Sequence, residues 1–570
     1  MNTSPQPAPI RWTEVGLLLL SAAALFLVAH FPALVNEYVI NDDVRQQIFW
    51  MQQWQDPELF RHDLLAEYAR HYVPWGVKGL YWLAAGLMSP LWFSKLLPGF
   101  LFVCLSLCLY LITLKILDRR LAWITVGVFW LMPFFLGRLA GGLPRAFAAP
   151  LLAVFLLAWL ADRPRSMALS VLAMALFIPY IFPLAAGAAL LGWADSRCRA
   201  VSGPPFPRRP GHFVWLVLGA LLVVLFNYQL TAAGFGPLVS AADMAGRLEF
   251  SSRGRYPVVP PPSFLWELAA PWEYIAPFRE AGIFAGALVC VLLLVAAVAG
   301  LRRLDWRNLG PRLWPIGYLL LASLALYALA RLFLLKLFIP GRYLTYTLNL
   351  VYCVGLALGF YGLSQNLRLS RHQAAALVLA VLALSGWRLR MVGLYDYSGY
   401  QPLFVSLAAT PKDALIAAHP YLADNIPTFA RRRTLATFEL AHPWSRGYWA
   451  KLKPRLEDLF AAYYASDPRA VWAFGRKYRV SFLVVDRRHF TPAFLAHRPF
   501  FAPFDKQIRR LARQGRPFVL LQPERLGGRT IRVNQDLWLL DLRFHQAKEP
   551  SLKKAALGRG ASDSPLPGRE

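Results

Sequence analysis

Residues 95–117 read KLLPGFLFVCLSLCLYLITLKIL, and between Lys95 and Lys115 no side chain is charged. A helix that crosses a bilayer needs about 20 predominantly apolar residues, which this run supplies. Outward from it, runs of the same kind lie near 13–32, 121–137, 144–161, 212–230, 281–300, 313–334, 343–364 and 373–389. The stretch 166–194 has Pro179 and Pro183 near its centre. It reads either as one long kinked helix or as a tight pair of short ones. Composition points the same way: 16% of the residues are charged, against about 25% in a soluble domain. The 14% aromatic content excludes a disordered chain. Five cysteines without a CxxC provide neither a disulfide framework nor a zinc site. The expected fold is mainly α, a polytopic transmembrane helix bundle.

Charge asymmetry sets the parity, because short cytoplasmic loops are enriched in Lys and Arg. With the N-terminus inside and a helix pair at 166–194, the inside loops collect sixteen basic residues, from Arg11 to Arg371. The short outside loops then hold only Arg138, Arg145, Lys336 and Arg342. A single span at 166–194 would carry ten of the sixteen outside. The expectation is therefore about 11 spans, with the C-terminus outside. The small residues Ala22–Ala24 lie inside the first apolar run and not after it, so this run reads as a span and not as a cleaved signal.

This topology gives a transmembrane domain over 1–390 with external loops at 33–94 and 231–279. An extracytoplasmic α/β domain follows over 391–545, then a disordered basic tail at 546–570. Within 33–94, residues 43–55 and 76–88 read as helices lying at the membrane surface. In the last domain, strand-like runs at Ala414–Ala418, Thr434–Phe438, Ser481–Val485, Phe518–Leu521 and Trp538–Leu542 alternate with helical stretches. Its acids, among them Asp424, Glu439 and Asp486, are scattered. It is expected to pack over the cavity mouth and to bring no catalytic group. About half of the +29 net charge follows from topology. No nucleic-acid recognition motif is visible, and none is expected outside a membrane.

Asn41-Asp42-Asp43 follows the first span. Paired carboxylates at a bilayer surface are costly unless solvated, paired or used. One of them can act as a general base, or both can hold a divalent cation such as Mg or Mn. The competing reading is a hydrated turn with Asp43 capping the next helix. Asp63, Arg70 and His71 continue the charged loop as candidate substrate-binding residues, with Asp63 equally readable as a helix cap. Arg138 and Arg145 are the two arginines of GRLAGGLPR, Arg255 precedes Tyr256, and Arg342 precedes Tyr343 in IPGRYL. Arginine holds phosphate through bidentate, charge-assisted hydrogen bonds. Snorkelling to lipid headgroups is the bland alternative.

The order of span, Asp-Asp loop, surface helices and YVPWGVKGLYWLAAGLMSPLWFSKLLPGFLFVCLSLCLYLI resembles the GT-C membrane glycosyltransferases, of the mannosyl- and arabinosyltransferase type. The resemblance rests on Asp42 and Asp43, His71 to Pro74, Lys95 to Pro98, Arg342 and Tyr343, and RKYRVSFLVVDR in the last domain. It implies a sugar donor linked to polyprenyl phosphate or diphosphate and a glycan, lipid or protein acceptor. The implied place of work is the outer face of a bacterial-type inner membrane, with Asp42 or Asp43 as the base. Many relatives carry an acid in the second external loop, where this chain has Gly141-Gly142-Leu143-Pro144-Arg145. Glu249, Glu267 and Glu273 are the candidate substitutes. A transporter or flippase of lipid-linked sugar, or a scaffold without activity, are the competing readings.

Overall fold

The computed structural model describes residues 9–198, 212–258, 263–269, 282–333 and 339–543. Glu273, Lys336 and the 546–570 tail lie outside them. Seven of the described helices are long and apolar enough to cross a membrane, which makes this a multi-pass membrane protein. They are Trp12–Val35, Pro90–Ile116, Val214–Ala232, Phe284–Leu301, Trp306–Leu332, Gly341–Ser364 and Arg371–Leu389. Arg119–Trp130 and Pro133–Leu139 add an eighth if their 66° bend lies within one span. Pro133 starts the second of these helices, where its missing N–H costs nothing. The 166–194 stretch is two helices, Pro164–Phe177 and Phe182–Cys198. Each is shorter than the about 20 residues a span needs, as is Ala148–Leu160, so helix length supports fewer than eleven straight crossings.

The chain after the last long helix forms a five-stranded mixed sheet. The strands are β3 (Leu415–Ala417), β4 (Arg433–Thr434), β5 (Phe482–Asp486), β6 (Thr530–Arg532) and β7 (Leu537–Asp541), in the order β4-β3-β5-β7-β6. β3 runs parallel to β4 and β5, while β7 is antiparallel to β5 and β6. Helices Arg446–Tyr463 and Pro468–Tyr478 pack beside the sheet. The strand expected at Phe518–Leu521 is a single 3-10 turn, Val519–Leu521. Pro517 precedes it, and a proline biases the chain toward turns. β6 carries no alternating pattern long enough to read.

A second, two-stranded sheet ties this domain to the first loop. β1 (Val39–Ile40) pairs antiparallel with β2 (Tyr395–Asp396), in register Val39 with Asp396 and Ile40 with Tyr395. Of the segment 43–55, expected at the membrane surface, residues 44–52 are instead buried: Val44, Ile48 and Met51 are fully enclosed, and Gln52 reaches the carbonyls of Pro427 and Thr428. The helix Trp75–Ala85 does leave apolar side chains uncovered, with Trp82 and Leu83 more than 60% exposed. Lys412 pairs with Asp56 at 2.8 Å and Glu58 at 2.9 Å. The loop after Ala232 joins the same end through a Leu238–Ser445 bridge and the Arg446–Asp243 ion pair. One apolar core continues from the helices into the sheet domain.

Lys95 shows how the fold aims the first loop. Its Nζ donates to the carbonyls of Ala33 and Asn36 at 2.8 Å and of Glu37 at 3.3 Å. These lie at the C-terminal end of Trp12–Val35, where carbonyls lack helical partners and attract cations. Lys95→Met keeps the volume and removes all three bonds. It is expected to cost about 1–3 kcal/mol, read as a lower melting temperature in detergent.

Candidate functional site

The carboxylate loop is held from three directions. Asn41 donates from Nδ2 to the Gly393 carbonyl at 2.6 Å, next to the β1–β2 pair. Its Oδ1 accepts from the Asp43 amide at 3.2 Å and from Arg145 at 3.0 Å. Asp42 Oδ1 accepts from the same amide at 3.0 Å. Asp43 makes no capping bond to the following helix; its carboxylate pairs with Arg145 and accepts from Gln46. The two aspartates therefore differ. Asp43 is neutralised by an arginine, whereas Asp42 keeps a half-buried carboxylate with no ion pair among the described residues.

Arg145 reaches Asp43 because the chain turns at Gly141 and Gly142, with φ of +86° and +60°. A Cβ on Gly141 would stand 2.9 Å from the Asn41 Cβ and 3.0 Å from Val44 Cγ2. Glycine here serves both positive φ and close approach. Gly141→Ala is expected to lower stability by about 1–3 kcal/mol and to push the carboxylate loop off its position.

Arg145 lies within electrostatic reach of Arg342, Tyr346, Asp42 and Tyr180. Tyr346 in turn faces Arg342, Arg138 and Arg145, and its hydroxyl is 3.3 Å from that of Tyr180. Three arginines thus lie within electrostatic reach of the two tyrosines, with Asp43 as the carboxylate paired to Arg145. This patch carries a surplus of positive charge beside Asp42.

Next to Asp42, the Arg45 Nε donates to the Asp42 carbonyl at 3.1 Å, and its NH1 to Asn425 at 2.9 Å. Arg45 is 3.8 Å from Glu439, and Arg255 is 3.2 Å from the same carboxylate. Burial, then the neighbouring Asp424, push Glu439 up to about 7 against the pull of Arg255 and Arg45. Burial pushes Asp424 up to about 6 against Arg45. A free glutamate titrates near 4.5, so the folded chain retains a proton that the unfolded chain has released. Stability is therefore expected to fall as pH rises from about 4.5 to about 7. Glu439→Gln should remove that part of the slope in thermal melts.

Several sequence candidates stand elsewhere. Asp63 caps the helix Leu64–Tyr72 through the Ala66 amide. Arg70 is exposed and bonds Gln53 at 2.6 Å. His71 turns Nδ1 to the Glu67 carbonyl at 2.8 Å. Tyr343 is buried, and its carbonyl accepts from Ser323; Tyr346, four residues after Arg342, takes the place beside the arginines. Arg255 and Tyr256 belong to the Glu439 side. Glu249 is held by Lys453 and Trp449, and Glu267 by Tyr327 and Arg331. The acid that joins the site is Glu439, so the last domain does bring a charged group of its own. Tyr72 was also unread: it lies within reach of Arg342, Glu439 and Arg255.

The residues do not fit a divalent cation. Arg145 occupies the position beside Asp43 that a metal would need, and both Asp424 and Glu439 have arginine neighbours. No group of three or more His, Cys, Asp or Glu gathers as a metal site among the described residues.

No family model and no curated protein sequence matches the chain. Among solved structures it is similar to the oligosaccharyltransferase of Archaeoglobus fulgidus tethered with an acceptor peptide containing the NVT sequon. That match has 15% identity and a TM-score of 0.48, and covers 88% of this chain and 72% of the other. The arabinofuranosyltransferase AftD from Mycobacteria matches at 14% identity and a TM-score of 0.47, over 94% of this chain and 40% of the other. ArnT from Cupriavidus metallidurans matches at 12% identity and a TM-score of 0.37, over 93% and 98%. Two of the three are named for transfer of a saccharide, an oligosaccharyltransferase and an arabinofuranosyltransferase.

Proposed function

We propose that the chain is a membrane glycosyltransferase that takes a sugar from a polyprenyl-phosphate or diphosphate donor and passes it to an acceptor hydroxyl at the outer face of the inner membrane. The observation that carries this reading is the meeting of Arg138, Arg145 and Arg342 around Tyr180 and Tyr346, beside the free carboxylate of Asp42. A patch with surplus positive charge at the end of membrane helices suits a lipid phosphate. The acceptor oxygen attacks the anomeric carbon and its proton passes to Asp42. The bond from that carbon to the phosphate oxygen breaks, its electron pair stays on the phosphate, and the arginines stabilise the charge. Asp43 orients Arg145. The contact between the first loop and the last domain calls for an even number of crossings between them. This supports the reading with 166–194 as a pair and both parts on the same side of the membrane.

The test uses purified protein in proteoliposomes with a panel of labelled polyprenyl-phosphate sugars. The expected result is cleavage of the sugar–phosphate bond with transfer of label. Movement of intact lipid across the bilayer without cleavage would establish a transporter instead.

A further inference from the structure

On the premise that sugar transfer takes place at Asp42, we infer that Tyr395 is the residue on which a sugar ring stacks while its hydroxyls reach Asp42. The register of β1 and β2 pairs Ile40 with Tyr395, and Asn41 extends the contact by donating from Nδ2 to the Gly393 carbonyl at 2.6 Å. Asp42 lies two residues past Ile40, which makes it the diagonal neighbour of Tyr395 across the end of the pair. Diagonal neighbours in an antiparallel pair stand about 7–8 Å apart, within reach of an aromatic side chain. The charges agree with this placement. The Asp42 carboxylate, and then burial, hold the Tyr395 hydroxyl above the usual phenol range, while Arg145 and Arg45 pull it down.

Tyr395 differs from the other rings near the aspartates in being free. Arg45 lies 4.5 Å over the Tyr397 ring, Tyr256 packs on Trp444 at 4.0 Å, and the Tyr180 and Tyr346 hydroxyls are 3.3 Å apart. Among the described residues Tyr395 has no ring partner, no cation over its face and no side-chain hydrogen bond, and 51% of it is exposed. An exposed tyrosine at a membrane surface ordinarily anchors in the headgroup layer. The Tyr395 hydroxyl instead feels Asp42, Arg145, Arg45 and Glu439. Its backbone is fixed in a strand, which holds a binding group more precisely than a loop does.

A free aromatic face beside a free carboxylate fits a sugar. A sugar ring carries C–H groups on its faces and hydroxyls around its rim. Tyrosine offers flat apolar area to the C–H face and keeps its polar tip in water. A sugar stacked there turns its rim toward the groups beside Tyr395, of which Asp42 has no ion pair among the described residues. The described bond of the Asp42 side chain uses Oδ1, for the Asp43 amide, which leaves Oδ2 to accept from a sugar hydroxyl. An acceptor saccharide and the sugar of the donor both present such a ring.

Saturation-transfer NMR titrations on the full chain in nanodiscs test this with wild type, Tyr395→Ala and Tyr395→Phe. The soluble probes are methyl α-mannopyranoside, methyl α-arabinofuranoside and methyl β-glucopyranoside. The lipid probes are farnesyl phosphate and farnesyl-phosphate-linked mannose and arabinose. In Tyr395→Ala at least one sugar probe is expected to bind about tenfold more weakly, the worth of roughly 55 Å² of apolar contact. Tyr395→Phe keeps the ring and should bind like wild type. Farnesyl phosphate should bind all three proteins alike. Trp82→Ala, which removes an exposed ring from the surface helix, should leave every probe unaffected. A loss confined to the methyl glycosides identifies an acceptor saccharide, one confined to the farnesyl-linked sugars identifies the donor sugar, and a loss in both means that each uses the ring. Overturning results are no sugar probe bound by the wild type, sugar binding unchanged in Tyr395→Ala, an equal loss in Tyr395→Phe, or an equal loss of farnesyl phosphate, which would make Tyr395 a lipid contact. Glycosides bound through Tyr395 by a wild type that does not bind farnesyl phosphate would overturn the donor reading and leave the stacking residue standing.

Discussion

Asp42→Asn is expected to lower the rate of sugar transfer by about 10²–10⁴-fold, the usual contribution of a positioned general base, with the fold and donor binding retained. The local geometry makes this a clean substitution. The described bond of the Asp42 side chain is to the Asp43 amide, accepted by Oδ1, and an asparagine oxygen accepts it equally well. The Asp43–Arg145 pair and the Asn41 bonds to Gly393 and Arg145 are untouched. What disappears is the Asp42 carboxylate, which has no ion pair among the described residues. Initial rates at saturating donor, with melting curves alongside, separate lost chemistry from lost structure.

Arg342→Gln is expected to weaken farnesyl phosphate binding by about 10–100-fold, as the loss of a charge-assisted hydrogen bond implies. The dependence of that binding on salt should fall with it. Arg342 lies beside Tyr346 and Tyr180, and no salt bridge to it is present among the described residues, so the substitution strands no carboxylate there. Arg70→Gln is the control: Arg70 is exposed and bonded to Gln53, and its affinity should match wild type. Equal losses in both variants would mean a diffuse basic surface and not a built phosphate site.

The membrane helices were legible because an apolar run of spanning length has few alternatives. The break in 166–194 was legible as an alternative, through Pro179 and Pro183, and the helices end and restart around them. The aspartate pair and Arg138, Arg145 and Arg342 stood out as charges in a chain poor in them. Tyr346 was readable in principle, since residues four apart share a helix face; Tyr343 drew attention by adjacency, and adjacent helical residues point apart. Glu439 was not readable. It lies 394 residues after Arg45 and 184 after Arg255, and only docking of the last domain unites them. The β1–β2 pair that secures this docking has two residues in each strand, too few for any periodic signal. Asp63 and Asp42 show the limit of residue type as a guide: both are loop acids, yet one turns inward to cap a helix and the other faces the arginines.

The most direct test of the central claim is release of farnesyl phosphate from farnesyl-phosphate-linked sugars, followed by mass spectrometry with wild-type and Asp42→Asn protein matched for folding. The account predicts release by the wild type from at least one sugar of the panel, and a loss of about 10²-fold or more in the variant. Equal release by the two proteins, or none by the wild type with any sugar, would contradict it.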